Sequence, residues 1–220
     1  MMAAAATQIG AYAPQRYPAH LVASRRLADG TAIVLRPIQP EDDAIEKAFI
    51  GGLSSATRYN RLLGARKLTP EEIRRLTRID YAQEMAFVAV TGQGAQLRLL
   101  GVARYVRDAD AAAEFAVVVA DAWQRKGLGT LLLNALLRHA HAAGIVRLHG
   151  ITLAANQAMQ QLARKLGFAQ TPDPRDATVR QVEKFLAHAA SPAARHSSAR
   201  HQDVAANDAT CACAFRSGRL

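Results

Sequence analysis

A mixed α and β fold around a mostly antiparallel sheet is what this 220-residue sequence predicts, on three observations. Three apolar runs between Met85 and Val119 are joined by short linkers, the mark of an antiparallel meander. The last run feeds a glycine-containing loop and an amphipathic helix, and a second strand and helix follow. Hydrophobic residues make up 50% of the chain and charged residues 21%, enough for a packed core and against global disorder.

In chain order, residues 1–20 are Ala-rich with Pro14 and Pro18 and no period, and read as a flexible leader. Residues 21–186 form the folded domain. Between His20 and Leu35 two short runs flank Asp29-Gly30, a dipeptide that tolerates the positive φ of a tight hairpin. Pro40 fits a first helical position, and Glu41, Asp42 and Asp43 suit the positive end of a helix that stops at Gly51-Gly52. A short helix is expected over Ser55–Leu63. Thr69-Pro70-Glu71-Glu72 opens another with a capping box that runs to about Ile79. Strands are expected over Met85–Val90, Leu99–Val106 and Ala113–Val119. Leu128–Ala143 is an amphipathic helix with Leu128, Leu132, Ala135, Leu136 and His139 on one face. Ile145–Leu153 reads as a strand, Asn156 as an N-cap, Gly167-Phe168 as a Schellman-type stop and Asp176–Leu186 as a last strand. Residues 187–220, rich in Ala, Ser, His and Arg, read as a disordered tail.

Several function classes drop out. No apolar run approaches the roughly 18 residues of a membrane span, and the first residues lack the charged and apolar regions of a signal peptide. The two cysteines, Cys211 and Cys213, give no disulfide framework and favour a reducing cytoplasm. As a Cys-x-Cys pair they could bind a soft metal but have no partner cluster, His139 and His141 lack a metal partner and His188, His196 and His201 have no ligand spacing, so no metal is expected. The net charge of +10 attracts polyanions, including a phosphorylated cofactor. Without an aromatic platform or base-reading motif, nucleic acid is expected to bind only non-specifically.

Glu114 to Thr130 carries the chemistry. A buried strand enters a loop with Gly127 and Gly129 and then a helix N-terminus. Glycines let the backbone curl so that several N–H groups converge, the helix dipole adds positive potential, and Arg125 and Lys126 add charge. The physics is that of a pyrophosphate cradle. A P-loop is excluded because Gly-x-x-x-x-Gly-Lys-Ser/Thr is missing, and a Rossmann fingerprint because Leu132 stands where its third Gly belongs.

The loop does match Gln/Arg-x-x-Gly-x-Gly/Ala as Gln124-Arg125-Lys126-Gly127-Leu128-Gly129. With Asn156 and Leu166-Gly167-Phe168 in order and spacing, the chain resembles the GNAT superfamily of acyl-CoA-dependent N-acyltransferases over about residues 31–186. It is most similar to the acetyltransferase domain of bacterial Pat-type protein lysine acetyltransferases. That similarity lies in Leu35-Arg36-Pro37-Ile38, Pro40-Glu41-Asp42, Ser55-x-x-x-Arg58-Tyr59-x-Arg61, Leu68 to Glu72, Ile79-Asp80-Tyr81, Glu84-Met85-Ala86, Ala113 to Val119 and Trp123-Gln124.

The resemblance implies a mostly antiparallel twisted sheet with one splayed parallel strand pair, flanked by helices. It implies acetyl-CoA, or another short acyl-CoA, as co-substrate. The pantetheine arm would pair with backbone groups of Val117, Val118 and Val119, and the pyrophosphate would rest on Gln124, Arg125, Lys126, Gly127, Leu128, Gly129 and Thr130. Asn156 would cap its helix and touch the pantetheine arm. Glu114 would be the general base for a primary amine, most directly a protein lysine, and a backbone N–H near Val119 would steady the oxyanion. Many relatives supply a Tyr on the helix after the Asn. Ala163 stands there, leaving solvent, Tyr81 or Tyr105 as substitutes. Asp80, Tyr81 and Glu84 would shape an acidic lip for the acceptor. A small-molecule amine acetyltransferase and a non-catalytic acyl-CoA-binding regulatory module are the alternatives.

Overall fold

A computed structural model describes residues 16–62, 68–108 and 111–186. Residues 1–15 of the expected leader and the tail 187–220, with Cys211, Cys213, His188, His196 and His201, lie outside the described residues. The strands are β1 (Ala23–Arg26), β2 (Ala32–Pro37), β3 (Glu84–Thr91), β4 (Arg98–Arg107), β5 (Ala112–Val119), β6 (Arg147–Leu153), β7 (Ala169–Pro172) and β8 (Val179–Phe185). The helices are α1 (Asp43–Gly52), α2 (Ser55–Leu62), α3 (Pro70–Thr77), α4 (Leu128–Ala142) and α5 (Gln157–Lys165).

One eight-stranded sheet runs in the order β1-β2-β3-β4-β5-β6-β8-β7. Every neighbouring pair is antiparallel except β5 and β6, as expected. The expected hairpin at Asp29-Gly30 forms, with Gly30 at φ 83°. Thr69 caps α3 by accepting from the Glu72 amide while Glu72 reaches back to the Thr69 amide. Ahead of β1, where the leader reading placed flexible chain, Tyr17 Oη donates to Pro37 O at 3.3 Å and its ring meets Tyr81 edge-on. The strand β7 lies beyond the expected set.

Each sheet face buries its own core. On one, α4 packs Leu128, Leu132, Leu133 and Leu136 onto Phe87, Ala103, Tyr105 and Phe115. On the other, Phe49 and Leu53 meet Ile38, Val88, Val102 and Val118. Alternation along β5 decides which residues face where. Phe115, Val117 and Val119 join the α4 side and Val118 the α1 side, so Glu114 and Ala116 share the α1 side with Val118. The β4–β5 register is continuous from Val119 to Ala113. The bulge lies instead where β3 meets β4, leaving Leu100 as the extra residue, so nothing turns Glu114 to the other face.

Candidate active site

The site follows from where the parallel pair stops. β5 and β6 are in register only over Ala112–Glu114 and Arg147–His149. Ala120 N–H donates to Leu100 O at 2.9 Å and Asp108 N–H to Ala112 O at 3.0 Å, which sets the phase of the β4–β5 ladder. Residues 112, 114, 116, 118 and 120 therefore spend their backbone groups on β4, and 113, 115, 117 and 119 turn theirs towards β6. Past the last paired rung, Val117 and Val119 offer backbone groups to a gap rather than to a strand. Val118, the third residue expected to pair with a pantetheine arm, has its groups committed to β4. Gln124 Nε2 donates to Val119 O at 3.1 Å, leaving the Val119 N–H and both groups of Val117 for a ligand.

Gly150 marks the last close approach of the two strands, one residue past the final paired rung. A Cβ there would stand 2.8 Å from Phe115 O, so only glycine lets β6 pass this closely. Sequence reasoning missed it; a lone glycine inside a strand was the available signal.

The gap opens into a cleft of about 430 Å³ lined by Val117, Val118, Val119, Gln124, Arg125, Gly127, Gly129, Thr130 and Asn156, with Thr57, Asn60 and Arg61 of α2 and Met159, Leu162 and Lys165 of α5 among the rest. A smaller extension runs between the strands themselves, walled by Ala116, Val117, Gly150, Ile151 and Thr152. The structure thus brings together nine of the residues named for the co-substrate. Leu128 is fully buried in the α4 core, and only its amide belongs to the loop. Lys126 turns away: its Nζ lies 3.1 Å from Asp29 Oδ2 and 4.7 Å from the Trp123 ring centre.

The loop curls at one of the two expected glycines, with Arg125 in place of the other. Positive φ falls at Arg125 (59°) and Gly127 (83°), while Gly129 is already inside α4. Left-handed residues on either side of Lys126 curl the backbone so that amides converge as in an anion nest, ahead of the unpaired N–H groups of α4. What Gly129 supplies is room: a Cβ there would lie 3.2 Å from Leu162 Cδ2. These amides and the adjoining cationic side chains of Arg125 and Lys165 suit a diphosphate.

A hydrogen-bond clasp holds α2 over the cleft. The Asp121 carboxylate accepts from Ser54 N, Ser54 Oγ and Thr57 Oγ1 at 2.9, 2.7 and 2.7 Å, and Gln124 Nε2 reaches Thr57 Oγ1 at 3.2 Å. Burial pushes the Asp121 carboxyl up, but the hydrogen bonds from Ser54 and Thr57 outweigh it and hold it below its ordinary value. A depressed pKa contributes stability above the unfolded-state value that is lost as pH falls through the folded one, so the clasp is closed at neutral pH and opens in acid. Asp121→Ala is expected to raise the KM for acyl-CoA several-fold and to speed hydrogen exchange in residues 55–62; unchanged exchange there would leave the clasp without a role.

Glu114 is half-buried and does not line the cleft. It lies two residues before Ala116 on the same sheet face, about 6.6 Å along the strand. Asn156 Oδ1 accepts from Met159 N at 3.1 Å, so it caps α5 while lining the cleft. Ala163 is fully buried and is not a lining residue. The tyrosines considered as substitutes are engaged elsewhere. Tyr81 Oη donates to Ile38 O at 2.7 Å. Tyr105 is buried beneath α4 against His139 Nδ1 at 3.0 Å, and burial pushes its hydroxyl up to about 12. Of the expected acidic lip, Asp80 Oδ1 accepts from the amides of Ala82, Gln83 and Glu84, which makes it a loop-former. Burial pushes the Glu84 carboxyl up, against the opposing pull of Arg104.

Among the described residues no group of three His, Cys, Asp or Glu side chains is placed to hold a metal ion, and no helix is long and apolar enough to cross a membrane.

Comparison with known proteins agrees with this geometry. The Acetyltransferase (GNAT) domain family matches residues 32–169. An acetyltransferase of Pseudomonas aeruginosa is 38% identical over 154 residues, 69% of this chain and 83% of its own length. The acetyltransferase Pat of Mycolicibacterium smegmatis is 35% identical over 142 residues, 63% of this chain but only 41% of its own length. Among solved structures, the GNAT domain of S. lividans PAT superposes with a TM-score of 0.70 at 26% identity, covering 78% of this chain and 100% of that domain.

Proposed function

The chain belongs to the GNAT acetyltransferase family, and from that premise we propose that it moves an acetyl group from acetyl-CoA to a primary amine, a protein lysine before any other acceptor. Family membership makes it an acyl-CoA-dependent N-acetyltransferase. The lysine reading is supported by the similarity to Pat and to the S. lividans PAT domain.

The observation that carries the acyl-transfer chemistry is the parting of β5 from β6 directly above an amide nest. A pantetheine arm would enter the gap as an added half-strand on Val117 and Val119, with its diphosphate on residues 124–130 and Asn156 alongside. The thioester carbonyl would then sit by the Val119 N–H, placed to donate to the oxyanion as it forms.

Lysine, with a reference pKa near 10.4, arrives mostly as an ammonium. In our reading Glu114 accepts its proton through a water, since the carboxylate stands one pleat back from the cleft wall. The free amine attacks the carbonyl carbon, the C–S bond breaks and the thiolate of CoA leaves. No tyrosine lines the cleft among the described residues, so the thiolate leaves unassisted or takes its proton from water.

Two measurements test this reading. Calorimetry is expected to show binding of CoA and acetyl-CoA, and thiol release is expected to be faster with a lysine peptide than with small amines. Indifference to CoA would remove the acyl-transfer site, and faster turnover of small amines would replace the protein acceptor.

A further inference from the structure

A base that takes a proton in every turnover has to lose it again. The sheet row that carries Glu114 supplies a route. His149 is the direct partner of Glu114 in the last paired rung before β5 and β6 separate. Residues opposite one another in a ladder point to the same face, so Glu114 and His149 leave the same side of the sheet from strands about 4.8 Å apart. His149 Nε2 lies 2.6 Å from Asp108 Oδ2, on the turn that leaves β4. The His149 side chain is 17% exposed and that of Asp108 41%, so this contact leads outwards. Among the described residues, Glu183 of β8 is the register partner of His149 on the far side, Arg147 lies 3.5 Å from Glu183, and Arg61 of α2 lines the extension beside β5 and β6. Glu84 on β3 ends the same row, beyond Val106.

We propose that His149 is a positioning and proton-relay residue for Glu114, with Asp108 as its outer support. This rests on the reading of Glu114 as the base. After the acceptor has given its proton to the Glu114 carboxylate, that proton passes to the His149 ring nitrogen remote from Asp108. The ring gives up the proton on Nε2 to the Asp108 carboxylate and from there to water. Only O–H and N–H bonds change, Glu114 is returned as a carboxylate, and the ring regains its starting tautomer by taking a proton on Nε2 and releasing the other one to water. Imidazole suits this place because its two nitrogens take and give a proton on opposite edges.

The test uses the full chain. In thiol-release assays with acetyl-CoA and a lysine peptide, His149→Gln is expected to lower kcat about tenfold in dilute buffer with the KM for acetyl-CoA unchanged, and added imidazole to restore the rate. Parental turnover in His149→Gln, without dependence on buffer, would overturn the relay and leave the base assignment standing if Glu114→Gln is inert. Parental turnover in Glu114→Gln would overturn both.

Discussion

Glu114→Gln is expected to keep acetyl-CoA affinity and lose about 10²–10⁴-fold in turnover at neutral pH, the usual worth of a positioned acid–base group. The glutamine amide fills the same space but cannot accept a proton. Affinity is spared because Glu114 stands on the face of Ala116 and Val118 and is not among the residues that line the cleft. The deficit also has a pH signature. Below the pKa of the amine, near 10.4, the free-amine fraction rises about tenfold per pH unit, so a reaction without a base gains as pH rises. The variant should therefore approach the parent between about pH 7 and 10. A deficit that is equal at every pH, with a raised KM for acetyl-CoA, would mean that Glu114 holds the strand rather than takes the proton.

The parts of this fold legible in the sequence are those whose signal is local. β3, β4 and β5 announce themselves because each is a run of small and β-branched apolar residues ended by turn chemistry. α3 does so because Thr69 and Glu72 form their cap within one turn. β7 does not, since Ala169–Pro172 is four residues long, mostly exposed and held by distant partners, β8 through its ladder and α5 through Gln170 Nε2 on Gln160 O. The same division runs through the site. The glycine loop and Asn156 are readable as local motifs. The clasp from Asp121 to Ser54 and Thr57 spans 64 to 67 residues and has no local mark. Lys126 shows how charge in a loop can mislead: sequence gives its sign, but the hairpin that takes its ammonium lies 97 residues away at Asp29. Arg125, which takes the left-handed turn the glycines were expected to supply, shows that tertiary closure can impose positive φ on a residue that disfavours it.

The amide nest makes the second large prediction: Gly127→Val and Gly129→Val abolish stabilisation by CoA, for different reasons. Gly127 holds φ 83°, where a β-branched residue costs about 1–2 kcal/mol. Nothing lies within 4 Å of its would-be Cβ, so strain, or a side chain standing in the cleft it lines, does the damage. Gly129 has no such backbone demand. Its would-be Cβ lies 3.2 Å from Leu162 Cδ2 and 3.8 Å from Val119 Cγ2, so a valine wedges β5 from α5, the two walls of the cleft. Parent protein with CoA at a hundred times its Kd should gain about 2.7 kcal/mol, which for a domain of this size raises Tm by roughly 5–10 °C. Both valine variants should show none of that rise, and Gly129→Val should also melt lower without ligand. Lys126→Ala separates main chain from side-chain charge: with its ammonium already held by Asp29, most of the rise should survive. A rise that persists in both glycine variants but disappears in Lys126→Ala would mean that charge, not converging amides, grips the diphosphate.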